Sequence, residues 1–507
     1  MACLLGLDIG TTSTIGIVID SEGKTLAKAS RSSELLSKRP NWAEEDPALW
    51  WRNCCAITGE LLGQAGLAAR DLAAVGVTGM VPTVILLDGE GRVLRHSIQQ
   101  NDARAIREID EMKQAIAPAT FFAKTGGSIN QQVVAPKLRW IERHESAVFA
   151  QAKRLFGSYD YITYRLTGTA SAEHNWALES GLLDIQTGDF DPDLIRLAGI
   201  APGLLPPVRR SHQVVGEVTR AAAEETGLHA GTRVVAGCAD HIASAFVAGA
   251  VNDGDLVTKF GGAGDIMLSC SKPVTDPRLF IDYHIIPGLF FSNGCMASSG
   301  SVLNWIVRHL AGAEAQAAAA EGLSTYAYLD RLAADASPGA GGLVLLPYFL
   351  GEKTPLHDPN ARGTLIGLGL HHGLPHVWRA ALEAVAFGFR HHVEVFEEID
   401  LEVTRVLACD GGAASDLWLQ ITADVLSRPI ERLLNHPGSS LGAAFVAGMG
   451  VGVLDDWAAI ADFVPSDRVF EPDAEHEALY DEAYCIYRET YERLKSLYPR
   501  LARLSPE

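Results

Sequence analysis

Leu4-Leu5-Gly6-Leu7-Asp8-Ile9-Gly10-Thr11-Thr12 runs an apolar strand through an aspartate into a Gly-Thr-Thr turn, and the chain leaves again as Ile15 to Asp20. That combination suits a phosphate. Glycine lets the backbone approach an anion, turn amides and threonine hydroxyls donate to its oxygens, and an aspartate one strand position earlier can meet a bridging Mg²⁺. Two further glycine turns come after apolar runs, at Gly261 to Gly264 and at Gly411 to Ala413. Three such turns point to a nucleotide. Asp240 closes the apolar run Val234 to Ala239 and opens a small-residue helix, a place where aspartate serves as an N-cap. The helix N-terminus would also keep it ionised and ready to take a proton from a hydroxyl. Asp102, with Arg104 nearby, is suited to accepting hydrogen bonds from sugar hydroxyls.

These residues need a framework of strands. The opening hairpin continues into a strand near residues 24–30, a helix over 46–62 containing Trp50-Trp51, and a strand over 72–78. A second hairpin is expected from Thr83 to Leu87, returning as Val93 to Ile98 around Asp88-Gly89-Glu90-Gly91. It delivers the chain to Asn101-Asp102. Leu256 to Leu268 repeats the strand, glycine turn and strand of the N-terminus, so the chain reads as duplicated, with domains 1–248 and 249–507 meeting across a ligand cleft. Strands over 343–350 and 403–409 and a tyrosine-rich helical tail over 473–501 complete the second half.

Composition narrows the function classes. At 507 residues, 48% hydrophobic and 21% charged, the chain can bury more than one core. Its net charge of −20 offers no basic surface for nucleic acid or an anionic membrane. The eight cysteines show no Cys-x-x-Cys pair, and neither a secretory leader nor an apolar run of roughly 18 residues is evident, so a cytoplasmic protein is expected. The adjacent pairs His371-His372 and His391-His392 point to different sides of a regular element and are assigned to structure, as are Trp50, Trp51 and Trp418.

Longer motifs carry a resemblance to the FGGY family of carbohydrate kinases over nearly the whole chain. Ala135-Pro136-Lys137-Leu138-Arg139-Trp140 resembles the family's first signature, and Asp410-Gly411-Gly412-Ala413-Ala414-Ser415 with the residues up to Asp424 resembles the second. Ala297 to Trp305, Tyr348 to Pro355 and Leu441-Gly442-Ala443-Ala444 fit as well. The resemblance implies an α/β protein of two ribonuclease-H-like domains of the actin and sugar kinase superfamily, closing on ATP, Mg²⁺ and a sugar. By position, Asp8 would act on the metal through water. Gly10, Thr11 and Thr12 with Gly261 and Gly262 would hold phosphates, and Gly411, Gly412 and Ala413 would lie against adenosine. Asp240 falls on the catalytic base and Asn101-Asp102 on the sugar-binding aspartate motif. The pattern is nearest to xylulose kinases, with four departures. Ile15 stands where relatives carry a lysine or arginine, Gly262-Ala263 replace a threonine and a serine, and Asp410 replaces a glycine. The Met-His pair of the sugar pocket is Val81-Pro82, and Gln100 replaces a tryptophan.

The expected reaction is transfer of the ATP γ-phosphoryl to the terminal hydroxyl of a ketopentose, xylulose first. Ribulose, a tetritol or glycerol are alternative acceptors. A sugar-binding regulator without transfer and an actin-type filament ATPase are the readings from other classes. A homodimer is left open as the assembly.

Overall fold

The computed structural model describes residues 2–504, and the chain forms two compact units. The first comprises Met1–Val251, Ile281–Phe291 and Pro437–Phe463, and the second Asn252–Phe280, Ser292–His436 and Val464–Glu507. The units are therefore interleaved along the sequence. Where residues 249–507 are expected as one domain, two of their segments fold with the first unit.

In the first unit β1 (Cys3–Ile9), β2 (Ser13–Asp20) and β3 (Thr25–Ser32) form an antiparallel meander. With β4 (Leu72–Gly79), β5 (Val214–Glu217) and β6 (Arg233–Val235) the sheet order is β5-β6-β4-β1-β2-β3, and the short β7 (Cys238–Ala239) also pairs with β4. β1, β6 and β7 all run parallel to β4. Both Ile9 and Ala239 are in register with Gly79, so three neighbouring strands end at one level.

The helices of the first unit include α1 (Pro47–Ala65), α2 (His174–Glu179), α3 (Asp240–Val247) and α5 (Ser439–Val451), and those of the second include α4 (Gly300–His309). α1 starts where Asp46 accepts from the Ala48 amide at 2.9 Å as its N-cap, and it buries Trp50 and Trp51. α5 lies directly on the sheet. A Cβ on Gly6 would come within 1.9 Å of Ser440 O, and one on Gly76 within 2.0 Å of Ala443 O. Glycine in β1 and β4 is what lets the α5 backbone reach the sheet.

In the second unit β8 (Asp255–Phe260), β9 (Gly264–Cys270), β10 (Arg405–Cys409), β11 (Ile430–Arg432) and β12 (Arg468–Phe470) run in the order β9-β8-β10-β11-β12. The duplication is visible in the pairing. β8 is antiparallel to β9 and parallel to β10, as β1 is to β2 and β4. Lys259, paired across to Asp265 and beside Cys409, holds the place that Asp8 holds between Ile15 and Thr78.

Some expected elements differ. The hairpin over 83–98 does not form as a ladder: Ile85–Leu87 pairs with Arg154–Phe156 and Ser97–Ile98 with Glu44–Glu45, leaving isolated bridges at Val84↔Ile98 and Leu87↔Val93. The turn chemistry expected there is present, since Asp88 Oδ1 accepts from the amides of Glu90 and Arg92, but remote strands outcompete the local pairing. Residues 343–350 are a strand only over Val344–Leu346. His371 and His372 fall in a turn rather than a regular element, so their rings stand 3.9 Å apart instead of diverging.

The glycine contacts give a paired test. Gly76→Ala should destabilise the protein by about 2–3 kcal/mol in chemical denaturation, because the new methyl meets backbone rather than a yielding side chain. Gly59→Ala, in α1 with nothing within 4 Å of its Cβ, should stabilise it by about 1 kcal/mol.

Candidate active site

The common level of β1, β4 and β7 brings together the residues just beyond them. Gly10 to Thr12 leave β1, Met80 to Pro82 leave β4, and Asp240 leaves β7. Ligands of parallel α/β sheets sit beyond the carboxyl ends of strands, and these three exits are adjacent. Met80 is tied down from both sides, its amide donating to Ile9 O at 3.0 Å and its carbonyl accepting from the Ser158 hydroxyl at 2.7 Å. Val81 and Pro82 are buried behind it. In the first turn the Gly10 amide closes onto Ser13 O at 3.0 Å, so the turn's offer to an anion comes from Thr11 and Thr12.

Asp240 is the first residue of α3 and Ala239 the N-cap, one position off the expected assignment. The carboxylate still lies at the helix N-terminus, where Oδ1 accepts from the His241 amide at 2.7 Å. Asp8 is close enough to feel it. Burial, then the Asp240 charge, pushes the Asp8 carboxyl up to about 7, against opposing effects of Ser439 at the start of α5 and of Lys28. Asp8 Oδ1 is shielded from solvent and has no hydrogen-bond partner. A carboxyl raised on folding favours the folded state fully below its unfolded pKa near 4, and that contribution is lost as pH rises through 7. The orphaned Asp8 oxygen is a hard, anionic donor that fits Mg²⁺.

Asn101, Asp102 and Arg104 lie at the end of a separate strap, joined to the Met80 segment through paired amides and carbonyls of Val84 and Ile98. Asp102 is not a solvated loop charge. Its Oδ1 accepts from the Arg104 amide and Nε, its Oδ2 from Arg104 Nη2 at 2.7 Å and from the Ala43 amide at 2.6 Å. Arg104 also meets Glu44 at 2.8 Å and lies over the Trp42 ring at 3.7 Å. Asp102 therefore fixes Arg104 in a buried ion pair, while Asn101 is exposed.

Lys137, a residue of the first signature with no role evident from sequence, keeps that strap in place. Its buried ammonium donates to the carbonyls of Gln99 at 2.7 Å, Gln100 at 3.3 Å and Gln132 at 3.3 Å, the first two just ahead of Asn101. Burial depresses it to about 7, with Asp102 opposing.

In the second unit, Gly261 and Gly262 are pinned through their carbonyls. Gly261 O accepts from the Gly300 amide at 2.9 Å, and Gly262 O from Ser299 and Ser301 at 2.9 and 3.1 Å, at the start of α4. Gly411 to Ala413 form a single 3₁₀ turn against the end of β8, where a Cβ on Gly412 would meet Phe260 and Trp418. Lys259 Nζ lies 3.9 Å from Asp265 and 4.0 Å from Asp410. This cation at the second turn is not among the residues expected from sequence, although a lysine inside Leu256-Val257-Thr258-Lys259-Phe260 was the signal for it. Asp410 has φ +73° and ψ −179°, backbone that glycine adopts readily and aspartate does not.

Comparison with known proteins matches this architecture. Models of the FGGY family of carbohydrate kinases match residues 3–247 with the N-terminal domain and 266–451 with the C-terminal domain. By fold and motif this is thus a two-domain α/β carbohydrate kinase. The chain belongs to the FGGY family. It is similar to a xylulose kinase of Rhodospirillum rubrum, at 46% identity and a TM-score of 0.92 over 98% of this chain and 99% of that one. The xylulose kinase of Bacillus subtilis (strain 168) is 28% identical over 98% of both chains. A glycerol kinase of Nocardia farcinica is 30% identical over 91% of this chain and 94% of the relative.

Asp410→Gly tests the strained turn. It should raise stability by about 1 kcal/mol, read as a higher Tm, because the relief of left-handed strain outweighs a long Lys259 contact. A lower Tm would mean that the charge pair matters more than the backbone.

Proposed function

We propose that the protein transfers the γ-phosphoryl group of ATP to the terminal primary hydroxyl of xylulose, giving xylulose 5-phosphate and ADP. The observation that carries this reading is the position of Asp240, at a helix N-terminus on the shared strand-end level beside Asp8 and Val81-Pro82. The likeness to xylulose kinases over the full chain supports the choice of sugar.

In this reading the sugar's hydroxyl oxygen forms the new O–P bond, the bond from the γ-phosphorus to the β–γ bridging oxygen breaks, and the hydroxyl proton goes to the Asp240 carboxylate. Phosphoryl transfer depends mostly on positioning and electrostatics, and a pre-aimed carboxylate provides both at the acceptor. Asn101 orients the sugar from the strap that the buried Asp102–Arg104 pair holds in shape, with Val81 and Pro82 as the apolar wall. Thr11 and Thr12 receive phosphate oxygens in the first unit, on a turn that the Gly10 amide closes onto Ser13 O. In the second, Gly261 and Gly262 do the same and Gly411, Gly412 and Ala413 lie against adenosine. Mg²⁺, held by Asp8 through water, would neutralise phosphate charge when bound. Lys259 supplies a cation in a chain that has Ile15 where relatives carry a base. The cysteine pattern supports a cytoplasmic location.

Val81-Pro82 favours one other acceptor class. The wall they form is smaller and less polar than a Met-His pair, which suits a shorter polyol such as a tetritol or glycerol. Measuring ADP release against pentuloses, pentitols, tetritols and glycerol decides between them. Xylulose should give the highest kcat/KM, and Asp240→Asn should lose about a hundred- to ten-thousand-fold in turnover while remaining folded. A higher value for a tetritol or glycerol moves the substrate, and near-normal turnover in Asp240→Asn removes the base.

A further inference from the structure

His241 comes directly after the proposed base, and its ring lies among three carboxyl groups. Nδ1 is 3.6 Å from Asp240 Oδ1, while Nε2 is 3.4 Å from Asp282 Oδ2 and 3.9 Å from Glu179 Oε1. Asp282 lies in the strand Phe280–Tyr283, which returns to the first unit far along the sequence. That return is clamped: the Asn175 side chain in α2 donates to Tyr283 O at 2.9 Å and accepts from the Tyr283 amide at 2.8 Å. Glu179 is the last residue of the same helix. One short helix thus supplies a carboxyl group to the ring and fixes the strand that supplies another.

A neutral imidazole has one N–H and one lone pair, so against this surround it would turn a lone pair toward a carboxylate. The doubly protonated ring turns an N–H toward both sides. We propose that His241, as an imidazolium braced from behind by Asp282 and Glu179, is a positioning residue that holds the Asp240 carboxylate in place and keeps it ionised for the sugar hydroxyl. This rests on the reading of Asp240 as the base.

The charged groups facing the ring are Asp240 on its own helix, Asp282 on the returning strand and Glu179 on α2, with Asp8 and Glu173 the next carboxyl groups out. Burial alone would push His241 down, but hydrogen bonding and charge from Asp240, Asp282 and Glu179 hold it well above its ordinary value. Burial and then Asp282 push Glu179 up, and the charge of His241 opposes them.

The test is the pH profile of kcat/KM with the best sugar, for wild type, His241→Gln, Asp282→Asn and Asp240→Asn. His241→Gln keeps a donor and loses the charge. Without a neighbouring cation the Asp240 carboxylate binds protons more readily, so the acid limb should move up by about one pH unit. At pH 7 kcat should fall tenfold or more, with the sugar KM changed less than threefold. Asp282→Asn removes the outer anion, so His241 loses its proton at lower pH and the alkaline limb should move down. An unmoved acid limb with kcat within threefold in His241→Gln overturns the proposal, and so does an unmoved alkaline limb in Asp282→Asn. If Asp240→Asn itself stays active, the reading of the base has failed instead.

Discussion

The register that ends β1, β4 and β7 at one level is the constraint on which the rest of the first unit depends. Ile9, Gly79 and Ala239 are neighbours in that sheet, so the residues after them leave from the same edge. A slip of one residue in any of these strands would turn its side chains to the other face. The register is locked from one side by α5, which is admitted to backbone distance only because Gly6 and Gly76 have no side chains. A helix far along the sequence thereby helps set where Asp8 and Asp240 stand.

Bringing two carboxylates together at that edge has an electrostatic cost, and the surrounding residues show how it is met. Asp240 takes the start of a helix and the His241 ring; Asp8 has Ser439 and Lys28 nearby and an oxygen with no donor. The second unit handles charge differently. Its hairpin places Lys259 where the first places Asp8, and Asp265 and Asp410 face that lysine. A duplicated scaffold therefore carries opposite charges at equivalent positions, an anion where a metal fits and a cation beside the second glycine turn.

Local signals in the sequence were legible wherever neighbours in the chain are also neighbours in space. The β1–β2 hairpin, its echo at β8–β9, the helix after Asp46 and the burial of Trp50, Trp51 and Trp418 all read directly. Long-range pairing was not legible. Nothing in Thr83 to Ile98 says that its strands prefer Arg154–Phe156 and Glu44–Glu45. Asp102 reads from sequence as an acceptor for sugar hydroxyls and not as the anchor of Arg104, because partners such as the Ala43 amide are remote in the chain, and Lys137 shows no role because its acceptors are backbone carbonyls, which have no sequence signature. Asp282 belongs to a segment that returns to the first unit only in the folded chain.

The central claim is that Asp8 and Asp240 form one electrostatic site at the strand ends. Its most direct measurement is the ionisation of Asp8, tracked by the carboxyl carbon signal of ¹³C-labelled aspartate in wild type and in Asp240→Asn. Asp8 is expected to titrate near 7 in wild type, since burial and then the Asp240 charge raise it, and to titrate lower when that charge is removed. An Asp8 that titrates at the same pH in both proteins would contradict the account.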